Sequence, residues 1–172
     1  MNAIEIYFTG MIRTMVLCVL PVFCLNAVDL LPIPDSVPGL DRNAKTGCVN
    51  GTVSFAADLY KAIDGGAEVY IDNGFCAGAF GGYLLNGQET CIEIYDQGSA
   101  KNARIVYDST TTGEYRFLKV PLICSRIDTS SPFATIFEGV HDRFFIRLSR
   151  NARDTVSENM LVRIAREISK KK

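Results

Sequence analysis

The sequence predicts an α+β fold, a layered sandwich of a mainly antiparallel sheet with helices packed on it, after an N-terminal signal peptide. Three observations predict it. Asn86-Gly87 separates two apolar runs, the strongest short-range signal for a two-residue hairpin. Further strand-like runs follow between residues 115 and 149. Amphipathic helical stripes lie on either side of these strands, at residues 54–73 and 155–168, so helices are available to cover the sheet.

The first element is a targeting segment. Arg13 precedes the apolar run 15–25, interrupted by Pro21, and the small residue Ala27 stands just before Asp29. That is the charged, apolar and cleavage-site order of a secretory signal, and cleavage is expected after Ala27. The run is shorter than the about 20 residues a spanning helix needs, so no permanent membrane anchor is expected. Domain boundaries follow: 1–27 signal peptide, 28–53 extended lead-in, 54–172 a single α+β domain. Removing the signal takes Cys18 and Cys24 with it and leaves Cys48, Cys76, Cys91 and Cys124. An even number in an oxidising compartment predicts one or two disulfides, with three pairings open.

The lead-in is rich in turn formers, with Pro32, Pro34, Pro38 and Gly39 close together, and is expected to contribute little core. Phe55, Leu59, Ile63, Ala67, Tyr70 and Ile71 then recur at three- and four-residue spacing, which predicts one helix over 54–73 ended by Asn73-Gly74. Gly65 and Gly66 inside it each cost about 1 kcal/mol against Ala, and a close approach of helix to sheet is the expected compensation. The hairpin spans 75–85 and 90–95. Gly78, Gly81 and Gly82 lie within it and predict a bulged or closely covered strand. Ser99 is placed to cap a short helix to about residue 107. Strands are expected over 115–127, broken near Pro121, over 133–140 and over 143–149. Thr155 and Glu158 read as the capping box of a last helix striped by Leu161, Ile164, Ala165 and Ile168, and the basic residues after it complement its dipole.

Composition narrows the function. The 172 residues are 48% hydrophobic and 22% charged with a net charge of -1, which describes a globular chain without the basic field that neutralises phosphates. Nucleic acid is not an expected partner. No phosphate-binding loop, Gly-x-Ser-x-Gly or His-Glu-x-x-His is present, and none of the cysteines forms a C-x-x-C pair. The single histidine, His141, sits in a predicted turn where an exposed, inert role is expected.

Two segments carry a family resemblance. The run Asp58-Leu59-Tyr60-Lys61-Ala62-Ile63-Asp64-Gly65-Gly66-Ala67-Glu68-Val69-Tyr70 with Asn73-Gly74-Phe75, and Glu93-Ile94-Tyr95-Asp96-Gln97-Gly98-Ser99 with Ala103 and Tyr107, are similar to the motifs of an uncharacterised family of exported bacterial proteins, the domain of unknown function 6599. The match covers about residues 58–107, with Gln97 where that family usually has Met and Asp64 where Asn is common. The resemblance implies export and a mixed α/β domain, and it brings no activity or site residues.

Candidate chemistry gathers around the first helix. Asp64, Glu68 and Asp72 at spacings of four share a helix face, where carboxylates bind a cation or serve as acid and base. A structural role, Glu68 partly buried and satisfying backbone donors near the glycines or near Gly98-Ser99, competes with that reading. Tyr60, Tyr70, Tyr95 and Tyr107 line a cleft or a core rim. The sequence therefore points to a secreted or periplasmic, non-enzymatic module that binds an unknown protein or small ligand through Tyr60, Asp64, Glu68, Tyr95, Asp96 and Gly98, with no cofactor. A metal-assisted hydrolase using Asp64, Glu68 or Asp96, and a purely structural envelope component, are the alternatives.

Overall fold

A computed structural model describes residues 25–33, 36–42, 45–63, 65–110, 113–128 and 130–172. Most of the expected signal segment, residues 1–24, lies outside the described residues. In chain order the elements are α1 (Ala27–Leu30), β1 (Leu40–Asp41), β2 (Gly51–Val53), α2 (Ala56–Ala62), α3 (Glu68–Ile71), β3 (Ala77–Leu85), β4 (Gln88–Asp96), α4 (Ala100–Ser109), β5 (Tyr115–Phe117), β6 (Cys124–Asp128), β7 (Thr135–His141), β8 (Phe144–Arg150) and α5 (Thr155–Ser169).

The α+β sandwich is present. Among the described residues, eight strands form one sheet in the order β1-β3-β4-β8-β7-β6-β5, with β2 also on β3, and every pairing is antiparallel. The β3–β4 hairpin turns at Asn86 and Gly87, with φ of 52° and 76°, the left-handed pair that a twist-matched two-residue turn requires. Side chains alternate across the strands, so each face builds its own core. On one face Tyr83, Ile92, Ile94, Phe137, Ile146 and Leu148 pack with α1 and with Leu161, Ile164, Ala165 and Ile168 of α5. On the other, Phe80, Tyr95, Val140 and Phe145 pack with Leu59 of α2, Tyr70 of α3 and Ala103, Val106 and Tyr107 of α4.

Several expectations need correction. The lead-in does build core: Leu30, Leu31, Val37 and Leu40 are buried, and β1 and β2 pair with β3. Each fully buried Leu contributes about 1.5–3 kcal/mol. Tyr83 hydroxyl donates to the Pro32 carbonyl (3.1 Å), the Gly82 N–H donates to Asn50 Oδ1 (2.7 Å), and a disulfide joins Cys48 to Cys91. This explains Gly82, whose missing Cβ would stand 2.0 Å from Thr46 Oγ1, the close covering that the glycine-rich strand predicts.

The helix expected over 54–73 is two helices. Gly65 and Gly66 take φ of 85° and 72°, and nothing lies within 4 Å of where their Cβ atoms would be. Left-handed backbone, not close packing, is what these glycines supply. The last helix is capped one residue earlier than expected, by Asp154, whose carboxylate accepts the Ser157 N–H at 2.6 Å. Of the basic tail, Lys171 Nζ donates to the carbonyls of Asp29 and Leu31, each at 2.6 Å, at the C-terminal end of α1. Burial holds this amine below its ordinary value. His141 is half-buried, its Nε2 3.0 Å from the Lys171 carbonyl, rather than exposed.

Candidate ligand pocket

Strand register lays four charged residues in one row. Glu93 on β4 stands opposite Arg147 on β8, Arg147 opposite Glu138 on β7, and Glu138 opposite Arg126 on β6. The row lies on the sheet face shared by Phe80, Tyr95 and Phe145, beneath α3 and α4. A single charge in a strand buried on both faces costs several kcal/mol unless it is paired, and the alternation of sign supplies the pairing.

The inner end of the row is closed. Arg126 and Glu138 side chains are each 2% exposed, and Arg126 gives Nε (2.8 Å) and Nη2 (2.5 Å) to the same oxygen, Glu138 Oε2. Nη2 also donates to the Tyr107 carbonyl (2.6 Å) and Thr110 Oγ1 (3.0 Å), so the cation sits at the carbonyl end of α4, and the guanidinium lies 4.0 Å from the Tyr107 ring centre.

The outer end of the row is open. Glu93, Tyr95 and Arg147 line a cavity of about 600 Å³ with Val49, Ile63 and Tyr70. Gly65 and Gly66 form part of its rim, and Thr110 connects it to the closed end. The Tyr70 and Tyr95 rings stack at 3.9 Å, and the Tyr95 hydroxyl donates to Glu93 Oε2 at 2.6 Å. Burial pushes the Tyr70 phenol up to about 12 and, with Glu93 beside it, lifts Tyr95 well above its ordinary value. Arg147 is one-third exposed. Its burial opposes the charge, but Glu93, Tyr70 and Glu138 outweigh it and hold the guanidinium above its ordinary range. It reaches Glu138 Oε1 only at 3.6 Å, and makes no hydrogen bond to a described side chain.

Of the five described residues among the six singled out in sequence, Tyr95 alone lines this cavity. Asp96 is turned to a structural task, accepting the Gly98 N–H (2.9 Å) and Arg143 Nε (3.0 Å). Gly98 supplies a left-handed turn, φ 70°. Asp64 lies outside the described residues. Tyr60 and Glu68 are exposed, so Glu68 is not the partly buried carboxylate that was expected. Desolvation, then the charges of Glu68 and Asp72, hold the Tyr60 phenol above its usual value. Buried Gln97 instead fills the gap between the motifs, its amide nitrogen 3.0 Å from the carbonyls of Tyr70 and Asn73 when oriented by its partners.

Among the described residues, one group has the spacing of a metal site: Cys48, Glu89 and Cys91. The two sulfurs are joined to each other, and Glu89 Oε1 accepts the N–H groups of Gly47 and Cys48, so these donors are already engaged. Cys76 and Cys124 are free thiols. No described helix is long and apolar enough to cross a membrane.

These features define an antiparallel α+β sandwich with a mixed-charge cavity on one sheet face. Comparison with family models, curated proteins and solved structures gives no match.

Proposed function

We propose that the chain is an exported, non-enzymatic binding module whose ligand is a small molecule held over Glu93 and Arg147. The observation that carries this reading is the state of Arg147: a guanidinium with five donors, two-thirds covered, held by one long ion pair, without a hydrogen bond to a described side chain, and opening into a cavity of about 600 Å³. That volume lies within the range of small-molecule sites, and an apolar wall with a few convergent polar groups is their usual chemistry. Export is supported by the charged and apolar order before Ala27, by the resemblance to exported proteins, and by the Cys48–Cys91 disulfide, a bond that persists in oxidising compartments.

A thermal-shift screen of small metabolites against the wild type and Arg147→Gln tests the reading. A true ligand at a hundred times its Kd stabilises by about 2.7 kcal/mol, and the variant is expected to lose that shift. A screen in which no compound shifts the wild type, together with native mass spectra of protein from its own cells that carry no added mass, overturns it.

A further inference from the structure

Glu93 and Arg147 are direct cross-strand neighbours of opposite charge, yet they form no salt bridge with each other. The ion pair Arg147 does make is the long one to Glu138, whose carboxylate already receives two bonds from Arg126. Tyr95 occupies one oxygen of Glu93, and Oε1 accepts no hydrogen bond from a described residue. The cavity floor therefore holds an unused donor set and an unused acceptor side by side.

Resting on the binding reading above, we propose that the ligand is a zwitterion of the free amino-acid type, its carboxylate on Arg147 and its ammonium on Glu93. A simple anion placed on Arg147 meets Glu93 on one side and Glu138 on the other, and a simple cation on Glu93 meets Arg147. Only a ligand carrying both charges, a short distance apart, meets attraction from both groups, and planar carboxylate recognition is what a guanidinium does best. The stacked Tyr70 and Tyr95 stand beside the ammonium position and add an aromatic contact to the cation. The remainder of the cavity is far larger than the charged end needs, and Val49, Ala62, Ile63 and Val69 line it. An amino acid with a large apolar or aromatic side chain fills that space.

Titration calorimetry of the full chain with L-phenylalanine, N-acetyl-L-phenylalanine and L-phenylalaninamide separates the outcomes. The expected result is saturable binding of the free amino acid, with each blocked form at least about tenfold weaker because one charge-assisted contact is gone. Glu93→Gln, which keeps an acceptor for Tyr95, is expected to weaken the free amino acid and spare the N-acetyl form. If that variant fails to fold, the three ligands on the wild type still decide. Equal affinity for blocked and free forms overturns the zwitterion. So does absence of amino-acid binding beside an Arg147-dependent shift by some other compound, and that outcome leaves the binding reading standing. Absence of any ligand sinks both.

Discussion

Arg126 and Glu138 meet at 2.5 Å across β6 and β7, both sealed from solvent, and the pair anchors the row that ends in the open cavity. Removing one partner leaves the other charge buried and alone, so Glu138→Gln or Arg126→Met is expected to cost about 3–5 kcal/mol. The double variant Arg126→Met with Glu138→Leu is expected to recover most of that loss, since two apolar side chains need no partner. Urea unfolding of the three variants measures it. Additive losses in the double variant would show that Arg126 stabilises mainly through Tyr107 and Thr110.

Local signals made the fold legible and hid the site. Asn86-Gly87, the alternation of Ile92 and Ile94, and the stripe of Leu161 to Ile168 each report burial or a turn within a few residues. The charge row is non-local: Glu93, Arg126, Glu138 and Arg147 come from four strands, and only register brings them together. A trace of it was present, since each of the four charges stands between apolar or small neighbours, as in Ile92-Glu93-Ile94, Ser125-Arg126-Ile127, Phe137-Glu138-Gly139 and Ile146-Arg147-Leu148. The spacing that predicts one helix over 54–73 continues through Gly65-Gly66, where the backbone turns away and separates α2 from α3.

That turn yields a prediction about strain. With no neighbour within 4 Å, Gly65→Ala and Gly66→Ala create no clash, and their whole cost is left-handed backbone, about 1–2 kcal/mol each. Asn tolerates this conformation better than Ala, so Gly65→Asn is expected to lose less than Gly65→Ala in chemical denaturation. An equal loss for Ala and Asn would place the cost elsewhere.

Tyr107 gives a pH dependence. Burial, with Cys124 next in effect, pushes its phenol from the ordinary 10.0 up to about 12, and its hydroxyl is buried without a hydrogen-bond partner among the described residues. A raised folded value means that the fold favours the neutral phenol. Its contribution is complete below pH 10 and is lost as pH rises from 10 towards 12. Tyr107→Phe removes an unsatisfied hydroxyl and keeps the ring beneath Arg126, so it is expected to stabilise by about 1 kcal/mol at neutral pH. It is also expected to flatten the alkaline decline. Melting curves between pH 7 and 11 check both effects.

The Cys48–Cys91 disulfide closes a sequence separation of 43 residues. A loop of that size restrains the unfolded chain enough to stabilise by about 4 kcal/mol. Reducing agent is expected to lower the wild-type denaturation midpoint to that of the Cys48→Ser, Cys91→Ser variant, and to leave the variant unmoved. Loss of midpoint in the variant on reduction would point to a second bridge.

The start of the folded chain is the last testable point. Leu25 packs against the core and its carbonyl accepts Arg143 Nη2 at 2.9 Å. Asn26 caps α1, its N–H bonded to Asp29 Oδ2 at 2.9 Å, and Ala27 is buried. Cleavage after Ala27 removes all three residues, strips α1 of its cap and deprives Arg143 of one acceptor. A lost cap alone costs about 1 kcal/mol. A chain beginning at Val28 is therefore expected to melt below one beginning at Leu25, and on this ground processing is expected before Leu25 rather than after Ala27. Cys24, with Val22 two residues earlier, has the small side chain that a cleavage site needs. N-terminal sequencing of exported protein decides between the two cuts: a Leu25 terminus confirms the structural argument, and a Val28 terminus on a chain of equal stability refutes it.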